Sequence, residues 1–207
     1  MHDRNTTIQN FLDAAAARQP TPGGGSIAAL CGALSTSMGE MVLNYSIGKK
    51  DLAAYEGELL PALQGLHRAR VLMLELMVED QAAYAAVTAA RKLPPGPEQD
   101  AQLKSAVIGA IRTPETIGAT AVAILQTCDQ VINFVNYHLL SDLAICADLA
   151  MATARCAVYN VRVNLTEITD PAERQRIESR ISQILSHAAT LIQRISPRVW
   201  GRHAEGA

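Results

Sequence analysis

Residues 20–48 read PTPGGGSIAALCGALSTSMGEMVLNYSIG. Two prolines and three consecutive glycines break any regular element. From Ser26 onward the chain turns apolar without a strand's alternation. Ala28, Ala29, Gly32, Ala33, Ser35, Thr36 and Gly39 are all small. Small side chains let a second helix cross closely, so this segment is expected to be a central helix that others pack against. The helix is expected to start near Ser26, with Ser26 as a possible N-cap, and to stop around Ile47-Gly48, where Gly48 can adopt the left-handed cap.

The rest of the chain fits that reading. Of its 207 residues, 49% are hydrophobic but only 4% aromatic, so the core must be built largely from Ala, Leu, Ile and Val. Ala and Leu favour helix. Ile8, Phe11, Leu12 and Ala15 share one face of a helix over about Thr7–Arg18. Residues 49–93 read as one long helical region divided at Pro61. Pro94-Pro95-Gly96-Pro97 stops it. A helix over about Glu98–Arg112 is expected to end at Thr113-Pro114, and another to run from Pro114 to about Phe134. Leu139–Leu165 is helical, and Thr169-Asp170-Pro171 starts a last helix reaching about Ser196. Its stripe from Ile177 to Ile195 can pack on the core or on a second subunit. The expected fold is all-α: one domain over residues 1–207, a bundle of long antiparallel helices.

Charge and cysteine usage narrow the function. A net charge of −2 lacks the basic footprint of a nucleic-acid binder or a polybasic membrane anchor. Cys31, Cys128, Cys146 and Cys156 form no CxxC pair and sit within apolar helical patterns, as structural thiols of a reducing compartment do. The N-terminus shows no signal-peptide pattern, so a cytoplasmic protein is expected. No metal-ligand cluster and no Rossmann fingerprint is visible, so neither a metal nor a nicotinamide is expected.

Several residues can carry chemistry. The turn through Pro22, Gly23, Gly24, Gly25 and Ser26 can expose backbone N–H groups to a ligand, or can merely be a flexible connection. Lys49 and Lys50 suit an anion, or a solvated helix start. Asp80 and Tyr84 are four apart and share a helix face; Asp80 can be a general base or a plain surface acid. Ser141 and Asp142 open an apolar helix, as a cap or as reacting groups. Asp142 enters so apolar a stretch that its carboxylate is expected to need a partner. Asn160 and Asn164 lie one turn apart, which suggests a polar network or a ligand contact. On one straight helix Asp142 and Asn160 would be roughly 27 Å apart. They could meet at one centre only if the helix breaks, or through two subunits or one long ligand.

Taken in order, PTPGGGS (20–26), SIGKK (46–50), Asp80 with Ala83-Tyr84, Lys92-Leu93-Pro94, Asn136 with Ser141-Asp142, and Asn160-Val161 with Val163-Asn164-Leu165 resemble the cyclodeaminase/cyclohydrolase family. The resemblance spans about residues 7–197. It implies an all-helical homodimer acting on a one-carbon unit carried by tetrahydrofolate, with no tightly bound cofactor. The implied activity is methenyltetrahydrofolate cyclohydrolase, with formimidoyltetrahydrofolate cyclodeaminase, or a relative acting on another cyclic amidine or imine, as the alternative; a folate-binding helical dimer is the non-enzyme reading. The implied catalytic set is Asp142, Asp80, Ser141 and Tyr84, with Asp142 favoured as base. Pro22, Gly23, Gly24, Gly25, Ser26, Lys49, Lys50, Asn136, Asn160 and Asn164 are the candidate substrate-binding residues. Val135 stands where the family usually has Gly, and Leu143-Ala144 where it often has Ala-Gly or Leu-Gly. Both changes are expected to add bulk near the site.

Overall fold

The computed structural model describes residues 3–205. It contains α1 (Ile8–Ala16), α2 (Gly24–Asn44), α3 (Glu56–Arg91), α4 (Pro97–Val131), α5 (Leu140–Leu165) and α6 (Pro171–Glu205). Short 3₁₀ turns at Lys50–Tyr55 and Tyr137–Leu139 lead into α3 and α5. No strand occurs among the described residues.

Helices α2, α3, α4 and α5 form an up-down ring in which each packs on the next, and α6 lies along the α4–α5 seam. The small residues of α2 set its spacing. A Cβ on Gly32 would sit 2.7 Å from Met73 Cε, and one on Gly39 2.6 Å from Leu66 Cδ1. An alanine at either position would force these side-chain ends to move for α3 to stay this close. On the opposite side Ser35 Oγ donates to Cys146 O on α5. The large core cluster runs through Leu43, Leu59, Met73, Ile124, Leu125 and Leu143; a smaller one gathers Val107, Ile111, Val161 and Ile181 at the far end of α4, α5 and α6. Helix α2 is long and apolar enough to cross a membrane by length and composition, yet just over half of it is buried in the bundle.

Four boundaries differ from the sequence reading. Helix α3 starts only at Glu56 and is not divided at Pro61, which lies inside it. Helix α2 ends at Asn44, and Gly48, at φ +80°, caps the turn beyond it. Helix α4 is not interrupted at Pro114; it runs unbroken to Val131. Pro114 has no N–H for the Ala110 carbonyl one turn back, and Asn164 Nδ2 on α5 donates to that carbonyl at 2.9 Å instead. Helix α6 likewise runs through Pro197. Arg194 and Arg198 clamp it to Asp129 of α4 through ion pairs.

Candidate active site

A cleft of about 330 Å³ opens where the N-terminus of α2 meets the C-terminal halves of α3 and α5. Its walls are Gly23, Gly24 and Gly25; Asp80, Tyr84, Val87 and Arg91 from α3; Val107 and Ala110 from α4; and Asn160, Val163 and Asn164 from α5.

Asp80 is the acid at its centre. The first turn of a helix leaves N–H groups without intrahelical acceptors. Here Asp80 Oδ2 accepts from Ser26 N at 2.8 Å and from Ser26 Oγ at 2.9 Å. Ser26 is fully buried. It is the third residue of the helix rather than its cap, which is Gly23. The approach of the carboxylate depends on Gly25, where a Cβ would lie 1.9 Å from Asp80 Oδ1. Burial pushes the Asp80 carboxyl above its usual 3.8, against the two Ser26 hydrogen bonds, which favour the charged form. The result is a desolvated carboxylate, a stronger base than a surface aspartate, fixed on one side and open to the cleft on the other.

The other walls follow from helical spacing. Asp80, Tyr84, Val87 and Arg91 recur at i, i+4, i+7 and i+11, one face of α3. Tyr84 is half-exposed over the cleft. Arg91 escaped the sequence reading, although that same spacing points to it; it pairs with Glu167 at 2.8 Å on the rim. Asn160 Nδ2 donates to Cys156 O, and its side chain touches the turn where a Cβ on Gly24 would be 3.0 Å from Oδ1. Asn164 donates to Ala110 O and Asn160 O. The two asparagines thus form the polar network their spacing suggested. Pro22 is buried beneath the glycine turn and supports it from outside the cleft wall.

The remaining candidates lie elsewhere in the same chain. Lys49 and Lys50 follow the C-terminal end of α2, a helix of 21 residues, about 30 Å from the glycine turn. The Asn136 N–H donates to Ser46 Oγ at 2.9 Å, so the start of α5 belongs to that distant end too. Ser141 is exposed and Asp142 partly buried in the first turn of α5, where Leu139 is the cap. Asp142 is only partly buried, because its neighbour Leu143 takes the inward-facing position at this turn. Val135 and Leu143 are buried in the core. Ala144 packs against that core, and neither Val135 nor Ala144 lines the cleft around Asp80. A group of three or more metal-ligating side chains is absent among the described residues.

A ring of antiparallel helices with a carboxylate held at a glycine-rich helix start defines a class of helical enzyme, and the comparisons identify it. Residues 7–183 match the family described as formiminotransferase-cyclodeaminase, and the chain belongs to that family. It is 31% identical to a methenyltetrahydrofolate cyclohydrolase of Methylorubrum extorquens, over 92% of this chain and 94% of that one. It is 26% identical to the mouse formimidoyltransferase-cyclodeaminase, covering 90% of this chain but only 35% of that longer protein. The crystal structure of a formiminotetrahydrofolate cyclodeaminase from Thermotoga maritima superposes with a TM-score of 0.89 at 26% identity, over 95% of this chain and 97% of that one.

Proposed function

We propose that this protein is a methenyltetrahydrofolate cyclohydrolase of one-carbon metabolism, acting in the cytoplasm as a homodimer, with Asp80 as its general base. The observation that carries the reading is the Asp80 carboxylate, desolvated and anchored by Ser26 at the floor of the cleft. The full-length similarity to the Methylorubrum cyclohydrolase supports this choice of reaction.

The methenyl carbon lies between two nitrogens that share a positive charge. The ionised Asp80 attracts that cation and accepts a proton from the attacking water. Addition gives a neutral carbinolamine. The proton held by Asp80 passes to the ring nitrogen as the carbon–nitrogen bond breaks. Loss of the hydroxyl proton to water leaves 10-formyltetrahydrofolate. Tyr84 and Asn160 orient the pterin, and Arg91 at the rim meets the anionic glutamate tail. Acid–base groups and water supply what the reaction needs, so the proposal includes no tightly bound cofactor. In this reading the protein has no nucleic-acid or membrane partner.

A second reading, formimidoyltetrahydrofolate cyclodeaminase, is favoured by the Thermotoga structure. Here the same carboxyl, protonated, assists departure of ammonia. The two are separated by offering both substrates. The cyclohydrolase bleaches the near-ultraviolet band of methenyltetrahydrofolate well above the buffer rate and releases no ammonia from the formimino compound. Ammonia release without bleaching establishes the cyclodeaminase instead.

A further inference from the structure

Helices α3 and α6 both pack on α4 but scarcely touch each other. A hollow of about 880 Å³ lies between them, with α4 as its floor. It shares no residue with the cleft around Asp80. The floor is one face of α4, where Thr116, Ala119, Thr120 and Ala123 recur at i, i+3, i+4 and i+7. All four are too small to reach across the gap. The Thr116 and Thr120 hydroxyls donate to the Arg112 and Thr116 carbonyls at 2.9 and 2.8 Å, so they are spent on the helix itself. Leu72 of α3 and Ile184 of α6 stand in the walls. The hollow is therefore largely apolar, and its volume is within the range that a small ligand fills.

Its charges are one-sided. Arg68, Arg112, Arg180 and His187 line it against a single acid, Glu115, in a chain whose net charge is −2. Glu115 is already taken, because Arg180 Nε and Nη2 donate to its two oxygens at 2.9 and 3.2 Å. Arg68 and Arg112 make no ion pair among the described residues. Helix register gives their places. The α3–α4 turn spans residues 92–96, so in that antiparallel pair Arg68 falls beside Thr120. The Arg180–Glu115 and Arg194–Asp129 pairs share one sequence offset, which runs α6 parallel to α4 and sets His187 beside Val122. Arg68 and His187 thus stand on opposite walls at one end. Arg112 stands at the other end, about 12 Å further along α4, next to the bridge that Arg180 and Glu115 make between α6 and α4.

We propose that this hollow is a second binding site, for a small organic dianion: an apolar body on Ala119 and Ala123 with an acidic group at each end. A surface arginine is ordinarily just solvated. Here two of them, neither with a carboxylate of its own, frame an apolar floor. A guanidinium fork takes a carboxylate, sulfonate or phosphate through two parallel hydrogen bonds. Arg112 receives one acid, and Arg68 with His187 the other. A short dianion cannot reach both ends, and a monoanion leaves one end unmatched. The Arg180–Glu115 bridge bounds the hollow near Arg112, which favours a short ligand over a partner's helix running along the bundle. The site does not depend on the folate reading.

The test uses the full chain and a fluorescent dianion, bis-anilinonaphthalene sulfonate, which carries two sulfonates on an apolar body. The parent should bind it saturably. Arg68→Glu and Arg112→Glu should each weaken binding at least about tenfold. Ala119→Leu, which fills the floor and leaves the charges alone, should do the same. Arg176→Glu, exposed on α6 outside the hollow, should change it by less than about twofold. Decanedioate, long enough to span the two ends, should displace the dye at least about tenfold better than butanedioate, and Arg112→Glu should abolish that advantage. All four substituted positions are exposed, so circular dichroism should show folded variants. The comparison of the two dicarboxylates on the parent holds even where a variant fails to fold. Arginine variants that bind like Arg176→Glu, Ala119→Leu at full affinity, or equal displacement by the two dicarboxylates overturns the site. So does a parent that uses Arg68 and Arg112 to sediment with phosphatidylglycerol vesicles, which would make the patch a membrane contact.

Discussion

Asp80 carries two opposed demands. Its hydrogen bonds from Ser26 favour charge, and its burial disfavours it. Because burial dominates, its pKa is raised on folding. Ionised Asp80 therefore costs stability as pH rises from the unfolded value through the folded one. Asp80→Asn keeps the Ser26 hydrogen-bond acceptor and removes the charge. We expect a melting temperature at neutral pH no lower than the parent's, with turnover reduced at least ~100-fold. Unchanged turnover would remove Asp80 from the mechanism. For the same reason the acid limb of kcat/KM should fall above the ordinary 3.8 of an aspartate, and a rate profile from pH 3 to 8 checks it. Gly25→Ala drives a methyl into the space of Asp80 Oδ1. The expected loss is about 1–3 kcal/mol by denaturant melts, and the displaced carboxylate takes activity with it. Arg91 is half-exposed, so Arg91→Ala should raise KM by at most about fivefold with little change in kcat.

At the scale of elements, α4 and α5 explain each other. Pro114 deprives Ala110 of its helical donor, and Asn164 replaces it from the neighbouring helix. Asn164→Ala should cost about 1–3 kcal/mol in the parent, where a part-buried carbonyl is left without its donor. In a Pro114→Ala background, where the backbone N–H is restored, the cost should be clearly smaller. Equal costs in a double-mutant cycle would show that the two residues do not act as a pair. This pairing also shows where sequence reading runs out. Period and breakers located every long helix, because hydrophobic spacing and Pro-Gly runs are local signals. The continuity of α4 through Pro114 was not legible, since the group that repairs the gap lies 50 residues further on. Ser26 was misread as a cap for the same kind of reason: its partner, Asp80, belongs to another helix. Asp142 was expected to need a partner from the hydrophobicity of its neighbours, but a helix turns successive residues to different faces, and Leu143 rather than Asp142 enters the core.

At the scale of the molecule, the bundle places its glycine turn and its twin lysines at opposite ends of α2. The motifs were legible one by one; their grouping was not, because a linear order does not say which end of a bundle each helix terminus occupies. The chain by itself therefore gathers half of the expected constellation around Asp80, and leaves Lys49, Lys50, Ser141 and Asp142 at the other end of the bundle. The central claim is that the cleft of Gly24, Asp80 and Asn160 receives the folate. A crystal structure of Asp80→Asn bound to methenyltetrahydrofolate tests it most directly. The pterin should lie against Gly24 and Asn160, with a water lodged between residue 80 and the methenyl carbon and the glutamate tail toward Arg91. A folate bound away from this cleft, with residue 80 facing only solvent, would contradict the assignment.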